Sequence, residues 1–174
     1  MQLFSKWKNT KELIAIIYEK LQPLLKDDLH YWLQRAKSIY RTSSSEKEFS
    51  EAYGYAKKAY LDGHRSLKSK AALTIALITC ALSECEDVSL NDRIGYCEEA
   101  IVFAHEAVIS DDFRLPSNYL QSEIPIGKNT SSERRITTAC NCVLKYSKSE
   151  FAIRKSKEIL NYFEYLRKRL VDNS

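Results

Sequence analysis

Residues 30–63 read HYWLQRAKSIYRTSSSEKEFSEAYGYAKKAYLDG, and the fold is decided by how their apolar residues are spaced. Together with the adjoining Leu29, the residues Trp32, Leu33, Ala36, Ile39 and Tyr40 recur at the spacing that puts side chains on one helical face. The polar run RTSSSEKE interrupts the pattern. Within it Ser45 and Glu48 stand three apart, the arrangement of a capping box at a helix start. A second stripe follows in Phe49, Ala52, Tyr55, Ala56, Ala59 and Tyr60. Asp62-Gly63 closes it, with the glycine expected to take the positive φ of a helix C-terminus. The stretch therefore predicts a helical hairpin.

Downstream the same logic continues. Ser66 opens a fourth helix reaching about Cys85, whose centre AALTIALITCAL is apolar nearly all round and predicts burial on two sides. Ser89, with Asp92 three on, starts a fifth helix carrying Ile94, Cys97, Ala100, Ile101, Phe103, Ala104, Ala107 and Val108. Residues 111–129, DDFRLPSNYLQSEIPIGKN, hold two prolines and a glycine without a sustained period, and are expected to form a long loop. Thr130 with Glu133 restarts a helix to about Lys145. Ser147 with Glu150 caps the last one, which ends near Leu170. Upstream, residues 1–9 are expected as a lead-in pinned by Phe4 and Trp7. Asn9 with Glu12 caps a first helix to about Leu25, with Pro23 bending or ending it. Asp27 or Asp28 opens the second helix. No segment alternates with period two. The expected fold class is all-α, about seven helices in antiparallel hairpins within one domain, 1–174, whose C-terminal hairpin is 130–171.

Composition agrees. The 174 residues include only four Gly and three Pro, so few positions break helices. A net charge of +4 is a mild basic bias, weaker than that of many dedicated nucleic-acid domains. Five scattered Cys, mostly at apolar helix positions, suit reduced thiols in a cytoplasmic protein. The N-terminus lacks a signal-peptide core. The longest apolar run, 12 residues, is too short to span a bilayer.

AYGYAKKA (52–59) and AIVFAHEA (100–107) share the pattern Ala-x-x-aromatic-Ala-x-x-Ala. Alanines four and three apart lie on one face and let a partner backbone approach closely. With Trp32 and Ala36 on the preceding helix, these residues resemble the tetratricopeptide repeat family. Trp32, Ala36, Ala52, Ala56 and Ala59 match one unit, and Ala100, Ala104 and Ala107 match the second helix of another. The two motifs are 48 residues apart, against a family period of 34. The resemblance is to a divergent array over residues 28–110, two hairpins. LHYWLQRAKSIY (29–40) is also similar to helical-repeat tails of bacterial signal-transducing NTPases used in defence, although no phosphate-binding loop is present.

What the resemblance implies is a right-handed helical array that acts as a cytoplasmic, bacterial adaptor or sensor without catalysis. The first helix of a hairpin would line a groove for a protein or peptide, through His30, Gln34, Lys37 and Arg41. An alternative is nucleic-acid binding along the last helix, where Arg154, Lys155, Lys157, Arg167, Lys168 and Arg169 flank Tyr162 and Tyr165. The aromatic residues Trp32, Tyr40, Tyr55 and Tyr60 are expected as core. The three His share no ligand spacing, and Cys140-x-Cys142 lacks a second pair, so neither metal nor cofactor is expected. Cys97, His105 and Glu106 share a helix but not the geometry of a nucleophile and its base. The first helix is too apolar for a single partner and is the expected cap or homodimer surface.

Overall fold

The computed structural model describes residues 2–109 and 132–172. Seven helices are described: α1 (Gln2–Leu25), α2 (Leu29–Thr42), α3 (Glu46–Asp62), α4 (Arg65–Ser83), α5 (Leu90–Ile109), α6 (Ser132–Tyr146) and α7 (Glu150–Asp172). No strand occurs among the described residues, so the chain is all-α as its periodicities predict. The expected loop 111–129, the cap at Thr130 and the side chains of Phe4 and Trp7 lie outside the described residues.

Most helix starts follow from short polar side chains. The Asp28 carboxylate accepts from the amides of His30 at 2.8 Å and Tyr31 at 3.4 Å, satisfying donors that a helix start leaves unpaired. Ser45 Oγ accepts from the Glu48 amide and donates to the Glu48 carboxylate at 3.0 Å. Ser89 and Asp92 repeat that arrangement on α5, with the hydroxyl donating at 2.6 Å. Three expectations are corrected. α1 runs through Asn9, which therefore caps nothing, although it ends at Leu25 as expected, two residues past Pro23. The cap of α7 is Ser149, whose Oγ accepts from the Ala152 amide, while Ser147 donates to Glu98 on α5. Gly63 has φ −75°, so it is not there for a left-handed conformation. A Cβ at that position would stand 2.4 Å from the Ala59 carbonyl oxygen, and the chain can turn so tightly only without one.

α4 is the axis. Thirteen consecutive residues, Ala71 to Ser83, are buried, covered by α2, α3, α5 and α6. By length and composition α4 could cross a membrane, but 83% of its apolar window is buried against these neighbours. Its buried hydroxyls are satisfied within its own backbone. Thr74 donates to the Lys70 carbonyl at 2.9 Å, Thr79 to Ile75 at 2.9 Å and Ser83 to Cys80 at 2.7 Å.

Connections of two to six residues join α2 to α3, α3 to α4, α4 to α5 and α6 to α7, which makes each pair antiparallel. Successive helices pack together from α1 to α5 and again from α6 to α7, and α5 packs on α6. Next-but-one neighbours also meet: α2 with α4, α4 with α6, and α5 with α7. The α3–α5 contact is made by side chains. Tyr60 donates to the Glu106 carboxylate at 2.7 Å, Tyr53 donates to Glu99, and the Tyr60 ring meets Phe103 edge-on at 5.2 Å. Contact with the next helix and the one after is the packing of a hairpin array, and one core cluster runs through it from Ala36 to Phe163.

The alanine motif lies at the joints. Ala52, Ala56, Ala59, Ala100, Ala104 and Ala107 are each at most 1% exposed. A third copy is visible in the fold: Ala152, Ser156 and Ile159 of α7 are buried at the same four-and-three spacing. The Ser156 hydroxyl is satisfied by the Ala152 carbonyl at 2.9 Å.

Ala104 has no room for added methylenes. Ala104→Leu is expected to destabilise the chain by about 1–3 kcal/mol, the usual cost of overpacking a tight interior. Urea unfolding followed by helical circular dichroism measures it, and an unchanged midpoint would contradict the close-packed joint.

Candidate interaction surface

The α2 stripe proposed for binding sits beside the start of α4. His30, Gln34 and Arg41 are exposed and Lys37 is half-buried. The four recur along one face because they are spaced four, three and four residues apart. The Lys37 ammonium is pushed below its ordinary pKa by burial first, then by the positive charges of Arg41 and Lys70. Lys70 belongs to the first turns of α4, so this face is a cationic strip spanning two helices. With the described residues, Gln34, Lys37 and Arg41 form no hydrogen bond or ion pair through their side chains. The strip ends where α4 becomes fully buried at Ala71.

The neighbouring aromatic residues serve packing, as their spacing predicts. Trp32 stacks on Tyr55 with ring centroids 5.1 Å apart, and its indole N–H donates to the Lys26 carbonyl at 2.7 Å. Arg35 lies over the Tyr55 ring at 4.5 Å and Lys58 over Trp32 at 4.3 Å. These cations are held by ring faces, unlike those of the α2 stripe.

The basic cluster on α7 is less uniform than its sequence. Lys155 is half-buried and turned to α5, 3.2 Å from Glu158 and 3.1 Å from His105 Nε2. Lys168 pairs with Glu164 at 3.0 Å. Arg154 and Lys157 are exposed; the side chains of Arg167 and Arg169 lie outside the described residues. Tyr165 is exposed and Tyr162 half-buried. The fold therefore neutralises part of the nucleic-acid candidate.

The chemistry-bearing residues of α5 separate. His105 Nε2 lies 2.6 Å from Glu158, Glu106 accepts from Tyr60, and Cys97 packs near Cys142 and Ser83. His105 and the Lys155 ammonium hold the Glu158 carboxyl below the usual carboxylate range. The fold does join two histidines that their spacing keeps apart: the rings of His30 and His64 lie 6.0 Å apart, edge to face. Among the described residues no group of three His, Cys, Asp or Glu is arranged to hold a metal ion.

α1 carries a second surface. Leu13, Ile16, Ile17, Leu21 and Leu24 are all exposed, Leu24 at 78%. They cluster on one face over about three turns, whereas Ile14 and Tyr18 turn toward α2 and α3. The stripe is grouped, unlike the scattered single apolar residues ordinary on a protein surface.

No family model matches the chain, and no curated protein or solved structure is significantly similar to it.

All five cysteines are free; Cys80, Cys97 and Cys140 are buried, and Cys85 and Cys142 half-buried. Burial pushes the Cys97 and Cys140 thiols up to about 12, keeping them protonated at neutral pH. Native-state labelling with an aromatic disulfide, mapped by mass spectrometry, is expected to modify Cys85 and Cys142 first. The other three should react only as the chain unfolds, and early modification of any of them contradicts the packing.

Proposed function

We propose that this chain is a non-catalytic interaction module that grips a protein or peptide along the α2 stripe. The observation that carries the reading is a row of polar and cationic side chains, Gln34, Lys37 and Arg41, with no bonding task among the described residues. Arg35 and Lys58 on neighbouring faces are held by rings instead. Keeping Lys37 charged while half-buried beside Arg41 and Lys70 costs free energy, and a partner bearing acceptors or acidic groups offsets that cost.

The hairpin packing, the alanine joints and the matched Trp32 and Ala36 support a tetratricopeptide-like array as the frame for this role. The adaptor or sensor role in a bacterial cytoplasm belongs to the same proposal. Self-association is part of it too: the α1 stripe is apolar and flanked by both charge signs (Glu12, Glu19 and Lys20), as suits a helix meeting a second copy of itself.

Affinity capture with the full chain is expected to retain a partner that the variant Gln34→Ala, Lys37→Glu, Arg41→Glu loses, while both fold equally by circular dichroism. Retention of every partner by the variant removes the α2 stripe as the binding surface.

A further inference from the structure

α2 and α4 share one sign of charge. Between them they hold Arg35, Lys37, Arg41, Arg65, Lys68 and Lys70 and no Asp or Glu, whereas α3 and α5 carry more acids than bases. The two cationic helices also lie side by side. Each is antiparallel to α3, so they run parallel, and they are in contact. Two pairs fix their register. The rings of His30 and His64 lie 6.0 Å apart at the helix starts, and Lys37 feels the charge of Lys70 further along. From His30 to Lys37, and from His64 to Lys70, each helix advances about 10 Å. Both pairs are therefore rungs of one shallow groove, in which Gln34 and Ser66 are exposed.

Arg41 stands one turn past Lys37 on the same face of α2. Lys37, Arg41 and Lys70 thus gather at one end of the groove. Burial first, and then the repulsion of Arg41 and Lys70, push the Lys37 ammonium below its ordinary pKa. Arg35 on the adjacent face is engaged by Gln22 and the Tyr55 ring. The three gathered cations have no ring, amide or carboxylate partner among the described residues. Three like charges held together favour a ligand that concentrates negative charge at one point. A carboxylate brings a single charge and leaves most of the repulsion in place. A phosphate monoester brings about −1.5 to −2 charges at pH 7 and three acceptor oxygens, matching the three cations. A nucleic-acid duplex is gripped by cations spread over successive phosphates, whereas these lie within about one helical turn.

We infer that Lys37, Arg41 and Lys70 together receive a phosphate monoester, so that the peptide gripped along the α2 stripe is one phosphorylated on serine, threonine or tyrosine. The inference rests on the α2 stripe being the binding surface, and it adds Lys70 of α4 to that surface. The phosphate accepts from the three cations, and the peptide backbone beside it runs over Gln34 toward the His30–His64 rung.

The test is fluorescence anisotropy on the full chain with degenerate peptide pools centred on phosphoserine, phosphothreonine or phosphotyrosine, the same pools after phosphatase treatment, a glutamate-centred pool and a short DNA duplex. At least one phosphorylated pool should bind about tenfold or more tightly than its dephosphorylated counterpart and than the glutamate pool. Lys70→Gln should remove most of that preference, as should Lys37→Gln. Lys70 is exposed, so its change leaves the core intact even if the half-buried Lys37 variant folds poorly. The inference is overturned if no phosphorylated pool is preferred, if the preference survives Lys70→Gln, or if the duplex binds as tightly. Binding that ignores phosphate but is abolished by Gln34→Ala, Lys37→Glu, Arg41→Glu overturns the inference alone. Binding that survives that triple variant removes the α2 stripe as well.

Discussion

A helix that is apolar on every side must be enclosed, and α4 imposes that requirement on the rest of the chain. Ala71 to Ser83 leave no face for water, so helices must lie on all sides of it. Burying a leucine or isoleucine side chain contributes about 1.5–3 kcal/mol each, and α4 carries Leu67, Leu73, Ile75, Leu77, Ile78 and Leu82 in that state. The same enclosure obliges each buried hydroxyl on α4 to find an acceptor in its own backbone. It also explains why the joints are built from alanine. Leucines and isoleucines of α4 supply part of the bulk, and the alanines of α3 and α5 let those helices approach closely.

The ends of the array show the reverse. α1 packs on α2 but has no neighbour on its other side among the described residues, and the stripe from Leu13 to Leu24 stands in the open. At the other end of the hairpins, where the α2–α3 and α4–α5 turns converge on α6, polar side chains meet in a cleft. The surface proposed for binding lies where enclosure of α4 stops, along the α2 stripe and the first turns of α4. It is polar, which separates it from the apolar surface of α1.

Most of the architecture was legible because it rests on local spacing. The stripe of α2, the caps at Asp28, Ser45 and Ser89, and the all-round apolarity of α4 each depend on residues within two turns of one another. Failures came where a distant atom decides. Gly63 was assigned to a positive φ, whereas a carbonyl one turn earlier excludes a Cβ. Asn9 had the form of a cap, but α1 begins before it. The third alanine-type joint was hidden because Ser156 and Ile159 replace two alanines; the four-and-three spacing from Ala152 was the available signal. The approach of His30 to His64 depends on how separate helices cross, which no local period encodes. Lys155 read as a surface cation, yet Glu158 and His105 draw it inward.

Amide hydrogen exchange resolved along the chain tests the enclosure of α4 most directly. Amides within residues 71–83 should be the slowest of all, exchanging only through global unfolding, with those of α1 exchanging faster through local opening. Protection of α1 equal to that of α4, or rapid exchange anywhere within 71–83, would contradict the arrangement of the chain around a single enclosed helix.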